Sequence, residues 1–436
     1  MSAQLFISLL VIAASVPVIQ LTCAYLIMME RKVAAYVQDR YGPNRTNFSF
    51  GLNDIWGMLG LGWLFERKNK MLGLGQALAD GLKLVWKEDY TPANVDKVLF
   101  YIAPMLIVVP ALVGAAVIPW GGVWDFPGLV IAGTEWIQPG LAYVTVFPAD
   151  LGVIYLLAVS SLGVYGVVLG AYASNNKYSF LGGLRATAQM LSYEIPLAIC
   201  VLIMIITYQS ASTTEMTLLQ MNGAWGLFAH PMIAVIFFIC GLAECNRAPF
   251  DLAESEQELV GGFHTEYGSL RWALFFLAEY MHMITSAAFF TLMFLGGSDL
   301  LPGVSIIPRV NDGSFFGLLA EGSLLGGVLM VVLQVKIYAL KVFVLLWLMM
   351  MVRWTLPRFR FDQLMKLAWR GMIPLMLVML LVVTLMVAYG LTSWWMFLIA
   401  NIAFALTAPY LGYLLPKDPP INRRIPLEGS RFSPAS

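Results

Sequence analysis

Charge is scarce in this sequence. Lys, Arg, Asp and Glu make up 12% of its 436 residues, about half the share of an ordinary soluble domain, so a water-facing surface of the usual kind cannot be built from it. Cysteine is sparse too: Cys23, Cys200, Cys240 and Cys245 stand mostly in apolar surroundings without a CxxC pair, which reads as packing and not as zinc, iron–sulfur or disulfide positions. The three histidines, His230, His264 and His282, lack metal-ligand spacing. No extended basic tract is present, which argues against nucleic acid as a partner. Hydrolase, phosphate-loop and dinucleotide signatures are missing, and Gly182-Gly183 and Gly261-Gly262 lack the strand context of a nucleotide site. Any redox cofactor must therefore sit in another chain, or be a lipid-soluble substrate.

What the chain has instead is apolar length. Hydrophobic residues reach 59%, mean hydropathy is +0.76, and several runs attain the roughly 20 residues that a helix needs to cross the hydrocarbon layer. The short alternating segments of a β-barrel are absent. The fold class is all-α, a polytopic transmembrane bundle with about nine spans at 5–29, 99–119, 146–172, 190–208, 231–248, 272–296, 323–352, 371–391 and 394–414. The first span lacks a basic leader and a cleavage site, so it is read as retained. Gly390-Leu391-Thr392-Ser393 is short enough for a tight hairpin between the last two spans; one broken helix with a re-entrant piece is the alternative. No internal repeat is evident.

Basic residues fix the orientation. With the N-terminus outside, segments 30–98, 172–189, 249–271, 353–370 and 415–436 face inward and hold 22 of the 26 Lys and Arg residues, the positive-inside pattern. Only Arg309 falls in an outward loop; Lys336 and Lys341 lie inside the seventh span, and Arg247 at the inner end of the fifth. Outward segments 120–145 and 297–322 are Gly/Pro-rich covers, with Trp120, Trp124 and Trp136 as interface anchors. The inward loop 30–98 is too long for a connection. Within it, 72–88 sets Leu74, Leu78, Leu82 and Val85 on one face and Gln76, Asp80, Lys83 and Lys87 on the other, predicting an amphipathic helix in the interface plane. Residues 1–414 form a single transmembrane domain, followed by a polar tail, 415–436.

Ionisable residues inside apolar spans are costly and mark function. Glu194, Glu244 and Glu279 are such residues, and Pro196 frees a backbone carbonyl close to Glu194. If the fifth span continues to Pro249, Glu244 and Arg247 share a helical face and neutralise each other. Beyond it, Asp251, Glu254, Glu256, Glu258 and Glu266 crowd like charges into one inner loop. Close carboxylates in low dielectric push at least one toward protonation, which predicts a chain of titratable sites from the inner surface into the membrane. A second constellation is Glu30-Arg31-Lys32, followed by Arg40 and a Gly42-Pro43-Asn44 turn that folds Arg40 back toward Asp80 and Lys83.

These residues carry a resemblance. Glu30-Arg31-Lys32, Gly42-Pro43-Asn44, Ala79 to Leu84 with Lys87-Glu88, Ser192-Tyr193-Glu194, Ala243 to Glu254, Glu256, Glu258, Gly262-Phe263, Glu266-Tyr267 and Ala278-Glu279-Tyr280 are similar to the matching elements of one membrane subunit of proton-translocating NADH:quinone oxidoreductase, respiratory complex I. The likeness is to the family that bacteria and mitochondria share, and it covers roughly 5–410. It implies a subunit, not catalytic alone, that forms the quinone entry channel and chamber with peripheral subunits and couples quinone reduction to proton translocation. Arg31, Arg40, Asp80 and Lys83 would lie near the quinone channel. Glu194, Glu244, Arg247, Asp251, Glu254, Glu256, Glu258, Glu266 and Glu279 would line the coupling route. The resemblance implies no cofactor bound by this chain, quinone as substrate, and FMN and iron–sulfur clusters in partner subunits. Partners would be the peripheral quinone-site and iron–sulfur subunits, small membrane subunits and antiporter-like subunits. The ninth span and the polar tail point to a bacterial form in the inner membrane, N-terminus periplasmic and C-terminus cytoplasmic. Two other readings are the related anchor subunit of a membrane-bound hydrogenase and a stand-alone secondary transporter.

Overall fold

The computed structural model describes residues 2–44, 46, 73–131, 134–254, 256–300 and 324–414. In chain order its α-helices of six residues or more are α1 (Ala3–Val37), α2 (Gln76–Trp86), α3 (Lys97–Gly114), α4 (Gly152–Ala173), α5 (Lys177–Tyr208) and α6 (Thr213–Asn222). Then follow α7 (Pro231–Glu244), α8 (Ser269–Phe294), α9 (Leu324–Thr355), α10 (Phe361–Lys366), α11 (Ile373–Ala388) and α12 (Trp394–Leu414). Among the described residues seven helices are long and apolar enough to cross a membrane: α1, α3, α4, α5, α8, α9 and the joined α10–α11. Helix α7 and the 394–407 part of α12 are also apolar but shorter. A π-helical turn, Leu367–Met372, joins α10 to α11. It immediately precedes Ile373-Pro374, and the missing N–H of Pro374 disturbs the regular ladder there.

Helix ends depart from the predicted spans because hydrogen-bonded turns do not stop where hydrophobicity stops. Helix α1 runs past residue 29 to Val37 and is closed by Asp39, at φ 53°. Helix α5 starts at Lys177, with the Asn176 side chain accepting from the Tyr178 N–H at 2.9 Å, instead of at 190. Helix α7 does the reverse and ends at Glu244, short of the predicted 248.

Helix α8 is the centre: 61% of its apolar window is buried, against 22% for α1 and for α10–α11, which turn most of their surface outward. Lipid tails are as apolar as Leu, so close approach of backbones replaces water exclusion as the packing force. Gly163, Gly166 and Gly170 face α4's neighbours accordingly, and a Cβ at Gly166 would stand 2.2 Å from Ile107 of α3. Phe237 of α7 meets Phe289, Phe290 and Phe294 of α8 edge-on, at 5.2, 5.9 and 5.4 Å.

Segment 120–145 is not wholly irregular, which qualifies the all-α expectation. Strand β1 (Val123–Phe126) pairs antiparallel with β4 (Gly140–Tyr143), and inside this ribbon β2 (Leu129–Ile131) pairs with β3 (Thr134–Ile137). Strands of three or four residues are too short to read from periodicity. The ribbon is tied to the start of α1, where the Gln4 amide donates to the Tyr143 carbonyl at 3.2 Å and accepts from its N–H at 2.8 Å. The Trp136 side chain, most of segment 297–322 and the tail 415–436 lie outside the described residues.

Candidate functional site

Two features meet at the end of the bundle that carries most of the charge. The first is a cavity of about 470 Å³ between the end of α1, the turn at Arg40–Pro43, α2, α8 and the end of α9. One wall is aromatic. Trp272, Phe276 and Tyr280 stand one helical turn apart on α8, so they form a ladder, with Trp272 stacked on Phe276 at 5.0 Å and Phe276 edge-on to Tyr280 at 5.1 Å. The other wall is polar, with Glu30, Arg31, Arg40, Asp80 and Arg353. Arg31 pairs with Asp80 at 2.8 Å, and Gln76 donates to the second Asp80 oxygen at 2.9 Å. Gly73 lets the approach to α2 lie against the Gly42-Pro43-Asn44 turn: its φ is +80°, and a Cβ there would stand 2.1 Å from the Pro43 carbonyl oxygen. Lys83 is on the exposed side of α2, outside the cavity lining.

The second feature is a buried charge network that shares Glu30 with the cavity. Glu30, 6% exposed, accepts from Tyr280 and Arg353 and from Arg247 at 3.4 Å. Arg247 also lies 3.4 Å from Glu279, without hydrogen-bond geometry, and its guanidinium sits 4.2 Å from the centre of the Tyr280 ring. Sequence spacing predicts Glu244 as the partner of Arg247. The structure instead gives Arg247 to Glu30 and Glu279, because α7 ends at Glu244 and Asn246 takes a positive φ of 48°, which carries Arg247 off the helical face. An arginine flanked by two buried carboxylates is held by both, since removing either partner leaves uncompensated charge in low dielectric.

From Glu279 the titratable groups continue in two directions. Toward the charged end, Glu254 faces Glu279 within hydrogen-bonding range and lies 3.6 Å from His264 Nδ1, while Asp251 pairs with Arg358 at 3.1 Å. Burial raises both Asp251 and Glu254 above the ordinary carboxylate range, opposed at Asp251 first by Arg358 and at Glu254 first by the bond to Glu279. Toward the bundle interior, Glu279 and Glu244 line one small cavity of about 30 Å³ with His282. Glu244 stands beside Ser160 of α4, and Glu194 of α5 interacts electrostatically with it.

Two further acidic candidates, Glu258 and Glu266, do not join this row. Glu258 pairs with Arg185 at 2.6 Å, half-exposed, and Glu266 accepts from the Asn176 amide at 2.6 Å. With the Ser179 hydroxyl donating to the Phe263 carbonyl at 2.8 Å, these contacts pin the loop to α5. Glu256 opens the turn Glu256–Leu259, and its side chain lies outside the described residues. Sequence reasoning passes over Glu30, Tyr280, Arg353, Arg358, His264 and His282 as site members. Glu30 shows in the sequence only as one member of the charged triplet closing the first span, with no sign of its distant partners, and Tyr280 only as the residue after Glu279. A further clamp, Arg271 to Asp89 at 2.6 Å and to Thr91 at 2.8 Å, ties the start of α8 to the segment after α2. Among the described residues no group of three or more His, Cys, Asp or Glu can hold a metal ion.

The sequence is similar to known proteins. A family model described as NADH dehydrogenase matches residues 9–384. The chain is 40% identical over 372 residues to an H-type chain of the NADH-quinone oxidoreductase of Geobacter sulfurreducens, covering 84% of this chain and 91% of the relative. It is 39% identical over 378 residues to the H-type chain of the NADH-quinone oxidoreductase of Leptospira biflexa, covering 85% and 92%. The corresponding chain of Flavobacterium psychrophilum is 37% identical over 377 residues, covering 85% and 94%.

Proposed function

The chain belongs to the NADH dehydrogenase family, and from that membership we propose that it is the membrane subunit of an NADH:quinone oxidoreductase that shapes the quinone chamber and couples quinone reduction to proton movement. It is not catalytic alone: NADH oxidation, FMN and the iron–sulfur clusters belong to partner subunits. The observation that carries the reading is the shared wall. Glu30, Tyr280 and Arg353 line the 470 Å³ cavity and at the same time belong to the buried network of Arg247 and Glu279.

The cavity's size lies in the range of small-molecule sites, about 300–1,000 Å³, and its composition suits a quinone. The ladder Trp272, Phe276 and Tyr280 offers an apolar track for an isoprenoid tail, and Arg31, Arg40 and Asp80 offer polar contacts at its mouth. Lys83 stands further out on α2, where it meets the membrane surface or a partner. Reduction of a quinone creates negative charge before protons arrive. That charge competes with Glu30 for Arg353 and Arg247, shifts the balance at Glu279 and Glu254, and so changes which carboxyl of the row Asp251, Glu254, Glu279, Glu244 and Glu194 holds a proton. Glu258 and Glu266 sit on the rim of the loop, where the route would meet the peripheral subunits, and Glu256 belongs to the same loop.

In this reading α7 and α12 complete nine spans, α2 lies in the interface plane, the N-terminus is periplasmic, and the tail 415–436 is cytoplasmic in a bacterial inner membrane. The peripheral quinone-site and iron–sulfur subunits cover the charged end, and small and antiporter-like membrane subunits flank the bundle. The test is photolabelling of the assembled complex with a quinone whose tail carries a photoreactive group. Label on α8 between Trp272 and Tyr280, displaced by unlabelled quinone, is expected; label confined to other subunits overturns the assignment.

A further inference from the structure

The small cavity between Glu244 and Glu279 contains a group that the site described above leaves unused. His282 lies one turn after Glu279 on α8, is 8% exposed, and its Nε2 has no hydrogen-bond partner among the described residues. Opposite it, α4 presents Ser160 to Glu244 and, one turn later, Gly163 to His282: a Cβ at Gly163 would stand 3.3 Å from Nε2. The cavity of about 30 Å³ is walled otherwise mainly by apolar side chains such as Ile107, Val167 and Phe275. That volume exceeds the roughly 10–15 Å³ one water requires, and a buried water also needs two to four polar partners, which Glu244, Glu279 and His282 supply.

We propose that this cavity is a water site and that His282 is its positioning residue, holding the water between Glu244 and Glu279. The inference deepens the coupling function proposed above and rests on it. Passage of a proton is then balanced. A carboxyl on one side gives its proton to the water oxygen, the water releases one of its own protons to the carboxylate on the other side, and the water is restored. His282 neither gains nor loses a proton; its Nε2 fixes the orientation in which the water's remaining groups point at the two carboxyls. Either neutral tautomer can serve, since Nε2 bonds the water as donor in one and as acceptor in the other.

The experiment uses the assembled complex in membrane vesicles, with NADH oxidation by an artificial acceptor as the assembly control and quinone reductase turnover and protons moved per NADH as readouts. His282→Leu is expected to lower coupled turnover about tenfold, and His282→Gln, whose amide can still bond the water, to retain most of it. Gly163→Ala changes no titratable group but places a methyl at the water's position, and it should fall with His282→Leu. Where His282→Leu fails to assemble, Gly163→Ala and His282→Gln decide. Electron cryo-microscopy of the wild-type complex should show a water peak within about 3.2 Å of His282 Nε2. A dry cavity, wild-type coupling in Gly163→Ala, or equal loss in Gln and Leu variants overturns the water site. Glu244→Gln separates the two levels: its full activity would sink the coupling reading itself, whereas its loss beside unaffected His282 and Gly163 variants sinks only the water.

Discussion

At the scale of single residues, the side chain on which most depends is Arg247, whose guanidinium stands between Glu30 and Glu279. Arg247→Ala leaves both carboxylates buried without their common cation, a cost of about 3–5 kcal/mol, and is expected to appear as loss of this subunit from assembled complex on native gels. Tyr280→Phe removes only the hydroxyl that donates to Glu30. It should assemble normally, at a cost of about 1.5–3 kcal/mol for a bond to a charged group, seen as a lower thermal inactivation midpoint. A pH effect follows from Asp251. Burial raises its carboxyl in the folded chain, so the native state binds more protons than the unfolded one in the window above the ordinary value of 3.8. Stability from this group is therefore complete below that value and is lost as pH rises through the raised one. Asp251→Asn should flatten that decline in a melting series from acid to neutral pH; an unchanged slope would show that Asp251 does not contribute to it.

Elements differ in how far the sequence disclosed them. Seven long apolar helices were legible because a membrane demands about 20 apolar residues in a row, a signal that needs no partner to be read. The ends of α1, α5 and α7 were not, because they are set by Asp39, Asn176 and Asn246, single polar or positive-φ residues whose effect depends on the fold around them. The same limit governed the site. Glu194, Glu244 and Glu279 stood out as charges in apolar runs, but the partner of Arg247 depended on where α7 stops and on Glu30, far away along the chain. Helix α2 shows what such placement does. It has no buried residue and is tied to α1 through Arg31 and Asp80, an exposed pair worth at most about 1 kcal/mol. Asp80→Ala should therefore leave stability nearly unchanged yet loosen the mouth of the cavity, raising KM for a short-chain quinone while kcat stays within about twofold. A kcat loss at unchanged KM would place Asp80 elsewhere in the mechanism.

Across the whole molecule, α8 joins what the other elements hold apart. Its Trp272, Phe276 and Tyr280 face the large cavity, while Glu279 and His282 line the small one, so a disturbance in the first is one helix width from the second. The ends of this arrangement are not equivalent. The large cavity opens at the charged end through Arg31, Arg40 and Asp80, where peripheral subunits dock in the proposed assembly, and the row of carboxyls leads away into the bundle. In the proposed reading such a chain offers a route for protons without the reaction that drives it. Reconstituted alone in vesicles under a pH gradient, it should dissipate that gradient no faster than lipid alone, because nothing in the isolated chain supplies the new negative charge that would compete with Glu30 for Arg247 and Arg353. In the complex, Glu244→Ala should lower quinone reductase turnover and leave NADH oxidation with an artificial acceptor near wild type, since electrons enter through other subunits. Rapid proton flux through the isolated chain, abolished by Glu244→Ala, would instead make it a transporter in its own right and remove the need for a quinone to set the network in motion.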